Sequence, residues 1–531
     1  MPMHCHNAHA LSIREFKGIL KQMVISKSEF MMFLKHPAWL WLKKYDKDKL
    51  PLPDAELQAL FDEGTLFESY AEKLFPDAVK LGYKKDGNVF SGTAYYALPE
   101  LTQKEIEKGT KVILQGRVEA NNITSIFDVL EKVDDPSTAL GTGKFYDLYE
   151  IKSSTSVKPE HIPDLAFQTV VLESAGISVR NMYVLHVNNK YIRSGEIDPS
   201  GITIKSDVTE EVKEALEETK ENIQKAFKIL EQKEMPDLSP RHLKPGFEIM
   251  EEWLQILQVI RGEFPRYSIY RLMGPDPKTI AWLEDNGIEL LNDIPLDGPL
   301  KEKQLRQVEA MKSGVQHIDR DEITTFLNSL EYPLYFLDYE TVAGVIPAFD
   351  GYRPYQQIPF QYSLHILDKP GGEITHKEYL HTENSDPVPK LVESLHEDIG
   401  GRGSVISWYM TFEKSRNTEM GKMHPKYEKF LLNLNDRMVD LITPFSKGWF
   451  VDKDFFGKAS VKWVLPALLP ELSYKELNIS NGGQAQRIWM ETVLKGKNPE
   501  QKDKIMDDLR KYCNLDTYAM YVILKYLEEK I

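Results

Sequence analysis

The sequence predicts an α/β protein with two sheet-bearing regions and a helical stretch between them. Three observations lead there. Strand-like apolar runs alternate with helical patterns over residues 22–200, the same alternation returns over 321–531, and 201–320 reads as mostly helical. At 531 residues the chain is too long for one core, and about three domains follow from typical domain size. The 42% hydrophobic and 11% aromatic contents are those of a folded, soluble chain. No apolar run approaches the ~18 residues that cross a bilayer. The opening MPMHCHNAHALSIREF has no apolar signal core, so a cytoplasmic protein without a membrane partner is expected.

The first region opens with ISKSEFMMFLKHPAWLWLKKY, where Ser26 or Ser28 caps a helix whose apolar residues follow helical spacing. A second helix is expected over 61–74. Residues 111–119 and 123–133 read as two strands joined at Asn121-Asn122, a tight-turn pair. A strand over 145–152, a helix over 164–175 and a strand over 179–187 complete the region. In the middle region, DVTEEVKEALEETKENIQKAFKILEQK is a long charged helix with a partial stripe of Val212, Leu216, Ile223, Phe227 and Ile229. TIAWLEDNGIELLNDIPLD reads as helix, Asn-Gly turn, helix. It is either a plain helical hairpin or a helix-hairpin-helix-like segment whose backbone N–H groups meet phosphates. The last region offers strands over 334–341, 359–367, 374–381 and 404–408, then helices to the end.

The net charge of −15 argues against a surface coated in basic residues for gripping nucleic acid. It leaves room for a nuclease, because clustered carboxylates hold cations that reverse the local sign. The two cysteines, Cys5 and Cys513, exclude a disulfide framework or an all-cysteine metal cluster within one chain. His4, Cys5, His6 and His9 could take a soft metal. No second ligand group follows at finger spacing, so a polar tail is the reading preferred there.

Two constellations carry chemistry. In SIFDVLEKV, Asp128 sits inside an apolar strand, where an unpaired carboxylate is costly. In DLYEIKSST, alternation points Glu150 and Lys152 to one face while Ile151 enters the core. Adjacent strands would bring Asp128, Glu150 and Lys152 together at one end of a sheet. Two carboxylates could hold Mg²⁺ or Mn²⁺ there, and the lysine could steady an attacking hydroxide. A cross-strand salt bridge is the plainer alternative. In YPLYFLDYETV, Asp338 and Glu340 share one face of a buried strand and repel unless a cation lies between them. In RKYCNLDTYAMYVIL, Tyr512 and Asp516 stand at i and i+4 on one side of a helix, where the phenol could hydrogen-bond a metal-bound water.

The run of ISKSEFMMFLKHP, EGTLFESYAEKLFP, IFDVLEK, YEIKSST and DLAFQTVV over 22–200 resembles the RecB-like branch of the PD-(D/E)XK nucleases, with a restriction-endonuclease-like core. The resemblance implies that Asp128 and Glu150 are metal ligands and Lys152 the catalytic lysine. Glu68 would be a further ligand, and Gln168 would orient the site or touch DNA. Leu172 stands where the family pattern has tyrosine. Many relatives carry an iron–sulphur cluster on one cysteine near the position of His36-Pro37 and others in the stretch corresponding to 239–253. This chain has none at either place, so no iron–sulphur cluster is expected and packing must supply that clamp.

Residues 330–531 resemble the DnaQ-like exonucleases, with an RNase H-like mixed sheet and helices. That likeness implies Asp338, Glu340 and Asp516 as metal ligands and Tyr512 as the water-orienting residue. In VISWYMTFEKSRN, Glu413 takes the place of the usual aspartate, and Asp440 is the alternative fourth carboxylate. Ser460 and Lys462 are read either as substrate contacts or as a helix cap and a solvated lysine. Taken in this order, the chain resembles a bacterial family of two-nuclease proteins. The expected function is phosphodiester hydrolysis of DNA with Mg²⁺ or Mn²⁺, the C-terminal centre trimming from the 3′ end. The alternatives are a nucleic-acid-binding protein with one decayed centre, or an RNA-processing exonuclease.

Overall fold

The computed structural model describes residues 23–82, 92–133, 145–247 and 249–531, with side chains described from 95 onward in the second stretch. His4, Cys5, His6 and His9 lie outside the described residues. The chain is a mixed α/β protein of two compact units, Met1–Glu263 and Phe264–Ile531. The boundary falls inside the 201–320 stretch. That stretch is therefore shared between the units rather than forming a connector of its own.

Unit 1 carries a seven-stranded sheet of β1 (Ile25–Ser26), β2 (Val79–Lys80), β3 (Val112–Ala120), β4 (Ile123–Val133), β5 (Phe145–Lys152), β6 (Ser178–Val187) and β7 (Thr203–Asp207). Its order is β2-β3-β4-β5-β6-β7, with β1 beside β4. The β3–β4 hairpin closes at Asn121 and Asn122, with φ of 50° and 62°. Two successive left-handed residues match the twist of the flanking strands, and asparagine tolerates that conformation better than most residues. From there β4 pairs antiparallel with β5, and β5 pairs parallel with β6. The His161–Ser174 helix packs across β3, β4 and β6 and against the Thr209–Leu230 helix. Val212, Ile223, Ala226 and Leu230 of the latter join the core, while Leu216, Phe227 and Ile229 of the expected stripe are only partly buried against it.

Ser26 caps the first helix, Lys27–Lys35, in a capping box with Glu29. The chain then turns at His36 into the Pro37–Tyr45 helix, whose first free N–H donates to His36 Nδ1. His36 Nε2 donates to the Ser239 carbonyl at 3.1 Å, and its ring stacks on Trp253 at 3.7 Å between centroids. Residues 36–37 and 239–253, the two places where the family resemblance looks for cluster cysteines, thus meet through a histidine–tryptophan stack. Burial pushes His36 down to about 4, so the ring is neutral and its tautomer is set by its two partners.

Unit 2 contains β8 (His317–Ile318), β9 (Leu334–Val342), β10 (Ile358–Leu367), β11 (Ile374–Leu380), β12 (Val405–Ser407), β13 (Met438–Asp440) and β14 (Phe450–Val451). The main sheet has the order β11-β10-β9-β12-β13, and β14 pairs with β8 apart from it. β9, β10 and β11 are antiparallel neighbours, while β12 and β13 run parallel to β9. β9 and β10 are buried along almost their whole length, as their near-continuous apolar sequence requires. The Lys502–Lys530 helix packs on β9, β10 and β11.

One expectation needs correction. TIAWLEDNGIELLNDIPLD forms one helix, Pro277–Asp285, a turn at Gly287, and then only a single 3₁₀ turn, Leu291–Asp293. No second helix follows, because Leu290 bridges to Ser268 in extended form and Leu291 and Ile294 enter a small core with Ile280 and Leu283. The helix-hairpin-helix-like segment is therefore absent. The short strands β1, β2, β7, β8, β13 and β14 are not among the expected ones, since two to five residues are too few to show alternation.

Trp253 is fully buried against His36 and Trp39. Trp253→Ala should cost about 3–5 kcal/mol of unit 1 stability. Chemical denaturation followed by hydrogen exchange in the 36–45 and 239–253 segments measures this; a loss under about 1 kcal/mol would mean that the stack is not a clamp.

Candidate metal centres

In unit 1 the expected residues converge. The β4–β5 ladder pairs Val129 with Tyr149, and one further step sets Asp128 beside Glu150. The Ile151 N–H donates to Asp128 Oδ2 at 2.7 Å. Glu150 Oε1 accepts from Lys152 Nζ and from Lys27 Nζ, each at 2.7 Å, and its Oε2 accepts from Gln168 Nε2 at 2.6 Å. Glu68, on the Ala55–Ala71 helix, accepts from Gln115 Nε2, which also reaches Asp128 Oδ1 at 3.4 Å.

Three members of this centre were not foreseen. Lys27 reads in sequence as an ordinary lysine beside a helix cap, yet it reaches Glu150 and lies 3.3 Å from Asp164. Asp164 accepts from Lys152 at 2.7 Å and from Gln168 at 3.0 Å. Gln115 has a left-handed backbone, φ 55°, which lifts it out of the β3 ladder between Leu114 and Gly116. The expectation of a substrate contact at Gln168 must be corrected: its side chain is 0% exposed and donates to Glu150 and Asp164, so it positions those carboxylates.

The charges here nearly balance. Burial and then the Glu150 carboxylate push Asp128 well above the usual carboxylate range. Burial also opposes the charges of Lys152, Lys27 and Asp164. Their mutual attraction overrides it, holding both lysines protonated and Asp164 ionised.

In unit 2 the balance is different. Asp338, Glu340, Glu413 and Asp516 come from β9, the Thr411–Met423 helix and the Lys502–Lys530 helix to line one cavity of about 370 Å³. Trp408, Tyr409, Phe412, Lys462 and Tyr512 share its wall. Among the described residues, Lys462 is the one cationic side chain there. Its Nζ donates to the Ser480 carbonyl at 2.7 Å and stands 5.3 Å from the Tyr512 ring centroid. Ser460 occupies the cap position of the Val461–Leu468 helix, but its side chain makes no cap hydrogen bond.

Of the two candidates for the fourth carboxylate, Glu413 lines the cavity. Asp440 instead accepts the Tyr409 N–H at 2.9 Å, fixing that residue's left-handed backbone of φ 77°. Glu413 is 2% exposed, and its Oε2 has no hydrogen-bond partner among the described residues. Two further neighbours were not foreseen. Tyr474 donates to Asp516 Oδ1 at 2.6 Å, and the Cys513 thiol lies 3.8 Å from Asp338 Oδ2. Tyr474 sits in a short 3₁₀ turn with no periodic signal, whereas Cys513 stands three residues before Asp516 on the same helix face and could have been found.

Burial, followed by repulsion from Asp516, Glu340 and Glu413, lifts Asp338 well above its usual range. Burial and Asp516 push Glu340 up to about 8, burial pushes Glu413 up to about 8, and burial pushes Asp516 up to about 6. Asp338, Glu340 and Cys513 each offer a ligand atom, all within 4.8 Å of one another. A crowded, undercompensated carboxylate set with an orphaned oxygen fits a divalent cation.

Comparison with family models matches part of the second unit. A family model described as a domain of unknown function, DUF2779, matches residues 335–460, which include Asp338, Glu340, Glu413 and Asp440. Uncharacterized protein MG366 of Mycoplasma genitalium is 27% identical over 224 residues, 38% of this chain and 33% of that protein. Its homolog in Mycoplasma pneumoniae is 25% identical over 221 residues, 38% of this chain and 33% of that protein. Uncharacterized protein UU173 of Ureaplasma parvum is 24% identical over 218 residues, 37% of this chain and 31% of that protein. The chain thus spans about a third of the length of these curated relatives. No helix among the described residues is long and apolar enough to cross a membrane.

Because Glu340 and Glu413 are raised from 4.5 to about 8, the folded state holds protons that the unfolded chain has released. Without metal, the stability these protons confer is full below pH 4.5 and is lost as pH rises through about 8. A divalent ion must displace those protons, so its affinity rises over the same window. The Mn²⁺-induced rise in melting temperature should be larger at about pH 8.5 than at about pH 6; equal rises would mean the carboxylates are not titrating as a metal site.

Proposed function

We propose that this protein is a metal-dependent nuclease whose principal centre is the cavity of unit 2, hydrolysing phosphodiester bonds of DNA from the 3′ end. The observation that carries this reading is the convergence of Asp338, Glu340, Glu413 and Asp516 on one cavity with Lys462 as the cationic side chain on its wall. A divalent ion held there would polarise a phosphate and lower the pKa of its bound water. The side chains supply position. Asp338 and Glu340 are fixed by the central strand of the sheet, and Asp516 is held by the Tyr474 hydroxyl. Burial, then the Asp516 charge, keeps the Tyr512 phenol protonated, so it can donate a hydrogen bond to a water or phosphate oxygen. Lys462 offers positive charge to a phosphate entering beside Tyr512. The mixed sheet with flanking helices supports the RNase H-like resemblance, and the Asp128, Glu150 and Lys152 cluster supports a second nuclease centre of the PD-(D/E)XK kind.

A second reading applies to that second centre. Both oxygens of Glu150 are already taken by Lys27, Lys152 and Gln168, which favours a nucleic-acid-binding unit whose metal site has decayed. RNA is the alternative substrate for unit 2, since the chemistry of the cavity does not distinguish the sugars.

End-labelled single- and double-stranded DNA and RNA, digested with Mg²⁺ or Mn²⁺ by the full chain and its variants, test this. Asp338→Ala should abolish stepwise trimming, a loss of at least about 10²-fold, with folding intact. Glu150→Ala should remove a separate cutting activity and leave trimming in place. Trimming by Asp338→Ala at the wild-type rate would overturn the assignment to unit 2. Identical patterns from Glu150→Ala and wild type would favour the decayed centre.

A further inference from the structure

Cys513 is fully buried and is not part of the cavity wall, yet its thiol points at the carboxylates. The Lys502–Lys530 helix brings it there: Tyr512, Cys513 and Asp516 lie within little more than one turn, so the residue beside the cavity tyrosine also faces β9. Sγ is 3.8 Å from Asp338 Oδ2, and a ligand atom from each of Asp338, Glu340 and Cys513 falls within 4.8 Å of the others. That separation suits one ion bonded to oxygen at about 2.1 Å and sulfur at about 2.3 Å. A second observation points to a ligand in the cavity that Asp338 and Glu340 line: Glu413, 2% exposed there, keeps its Oε2 without a hydrogen-bond partner among the described residues. A thiol serving only as packing needs no carboxylate pair within reach, and a cavity serving only as a void leaves no buried carboxylate oxygen open.

We propose that Cys513 is a ligand of the unit 2 centre, making it a mixed oxygen–sulfur site that binds Zn²⁺ and Co²⁺ ahead of Mn²⁺, and Mn²⁺ ahead of Mg²⁺. This rests on reading the cavity as a metal centre, and it names the metal class that the centre selects. Asp338 and Glu340 alone would form an all-oxygen site suited to Mg²⁺ or Mn²⁺. A thiolate beside them adds affinity along the series and favours softer ions. On binding, the S–H proton leaves to solvent and the sulfur lone pair forms the metal bond, with no change in oxidation state.

Titrating the full metal-free chain with Co²⁺ tests the assignment. The wild type should develop the near-ultraviolet sulfur-to-cobalt charge-transfer band, and Cys513→Ser should lack it while still binding Co²⁺ through oxygen. Cys5→Ser controls for the other cysteine and should keep the band. By calorimetry, Cys513→Ser should lose roughly 10–100-fold in Cd²⁺ affinity with little change for Mg²⁺. Metal-free melting of Cys513→Ser and Cys513→Ala checks that both fold. Absence of the band from the wild type, or its loss in Cys5→Ser rather than Cys513→Ser, would overturn the proposal. Strand cleavage is scored separately. A Cys513-dependent band in a chain that cuts no strand would sink the nuclease reading and leave the sulfur ligand standing. Asp338-dependent cleavage without the band would do the reverse.

Discussion

Like charges buried together on a strand that cannot move them apart are the constraint on which unit 2 turns. β9 is paired with β10 along its length, Asp338 opposite Ser363 and Glu340 opposite Gln361, while β12 grips its first half at Tyr335 and Phe336, so the strand that carries the two carboxylates is anchored. Relaxing their repulsion by shifting the strand would break backbone hydrogen bonds that have no water to replace them. The repulsion can be relieved only by protons or by a cation. Unit 1 solves the same problem internally, with Lys27 and Lys152 set among Glu150 and Asp164. A buried strand bearing chemistry on alternate positions thus gives an undercompensated cluster in unit 2, where both positions are acidic, and a nearly balanced one in unit 1, where a lysine follows the glutamate.

That difference explains how much of each site was legible in sequence. Alternation along FYDLYEIK and LYFLDYETV set Glu150, Lys152, Asp338 and Glu340 on their faces, because period-two geometry is local and strong. The partners that decide the electrostatics come from far away. Lys27 meets Glu150 across more than a hundred residues, and its own surroundings, Ser26 and Ser28, speak only of a helix start. Nothing in a lysine's local sequence says whether its ammonium ends in water or between two carboxylates. Tyr474 is similar, arriving at Asp516 from a loop.

Where local rules competed, tertiary packing won. The segment after Gly287 carries a helical pattern, yet Leu290 is taken up by Ser268 and Leu291 is drawn into a small core, so only one turn forms. The long charged helix Thr209–Leu230 behaved more simply. Its polar face is solvated, and its buried face closes unit 1 over the His161–Ser174 helix. The motif puts Glu413 ahead of Asp440 as the fourth carboxylate, and the cavity lining agrees. Asp440 lies off the cavity wall, with its Oδ1 accepting from the backbone of Tyr409 and Ile442.

The Asn121–Asn122 turn reaches further than its size suggests. By allowing only one closure of the hairpin, it acts as a ruler: counting back from it along both strands sets Gln115 level with Asp128, beside the glutamate of the neighbouring helix. A strand slipped by a single residue would turn Asp128 into the opposite layer of the sheet. Two adjacent amides at a solvent-facing loop therefore calibrate a polar cluster several residues away, and lengthening the loop would detune that cluster without touching any residue in it.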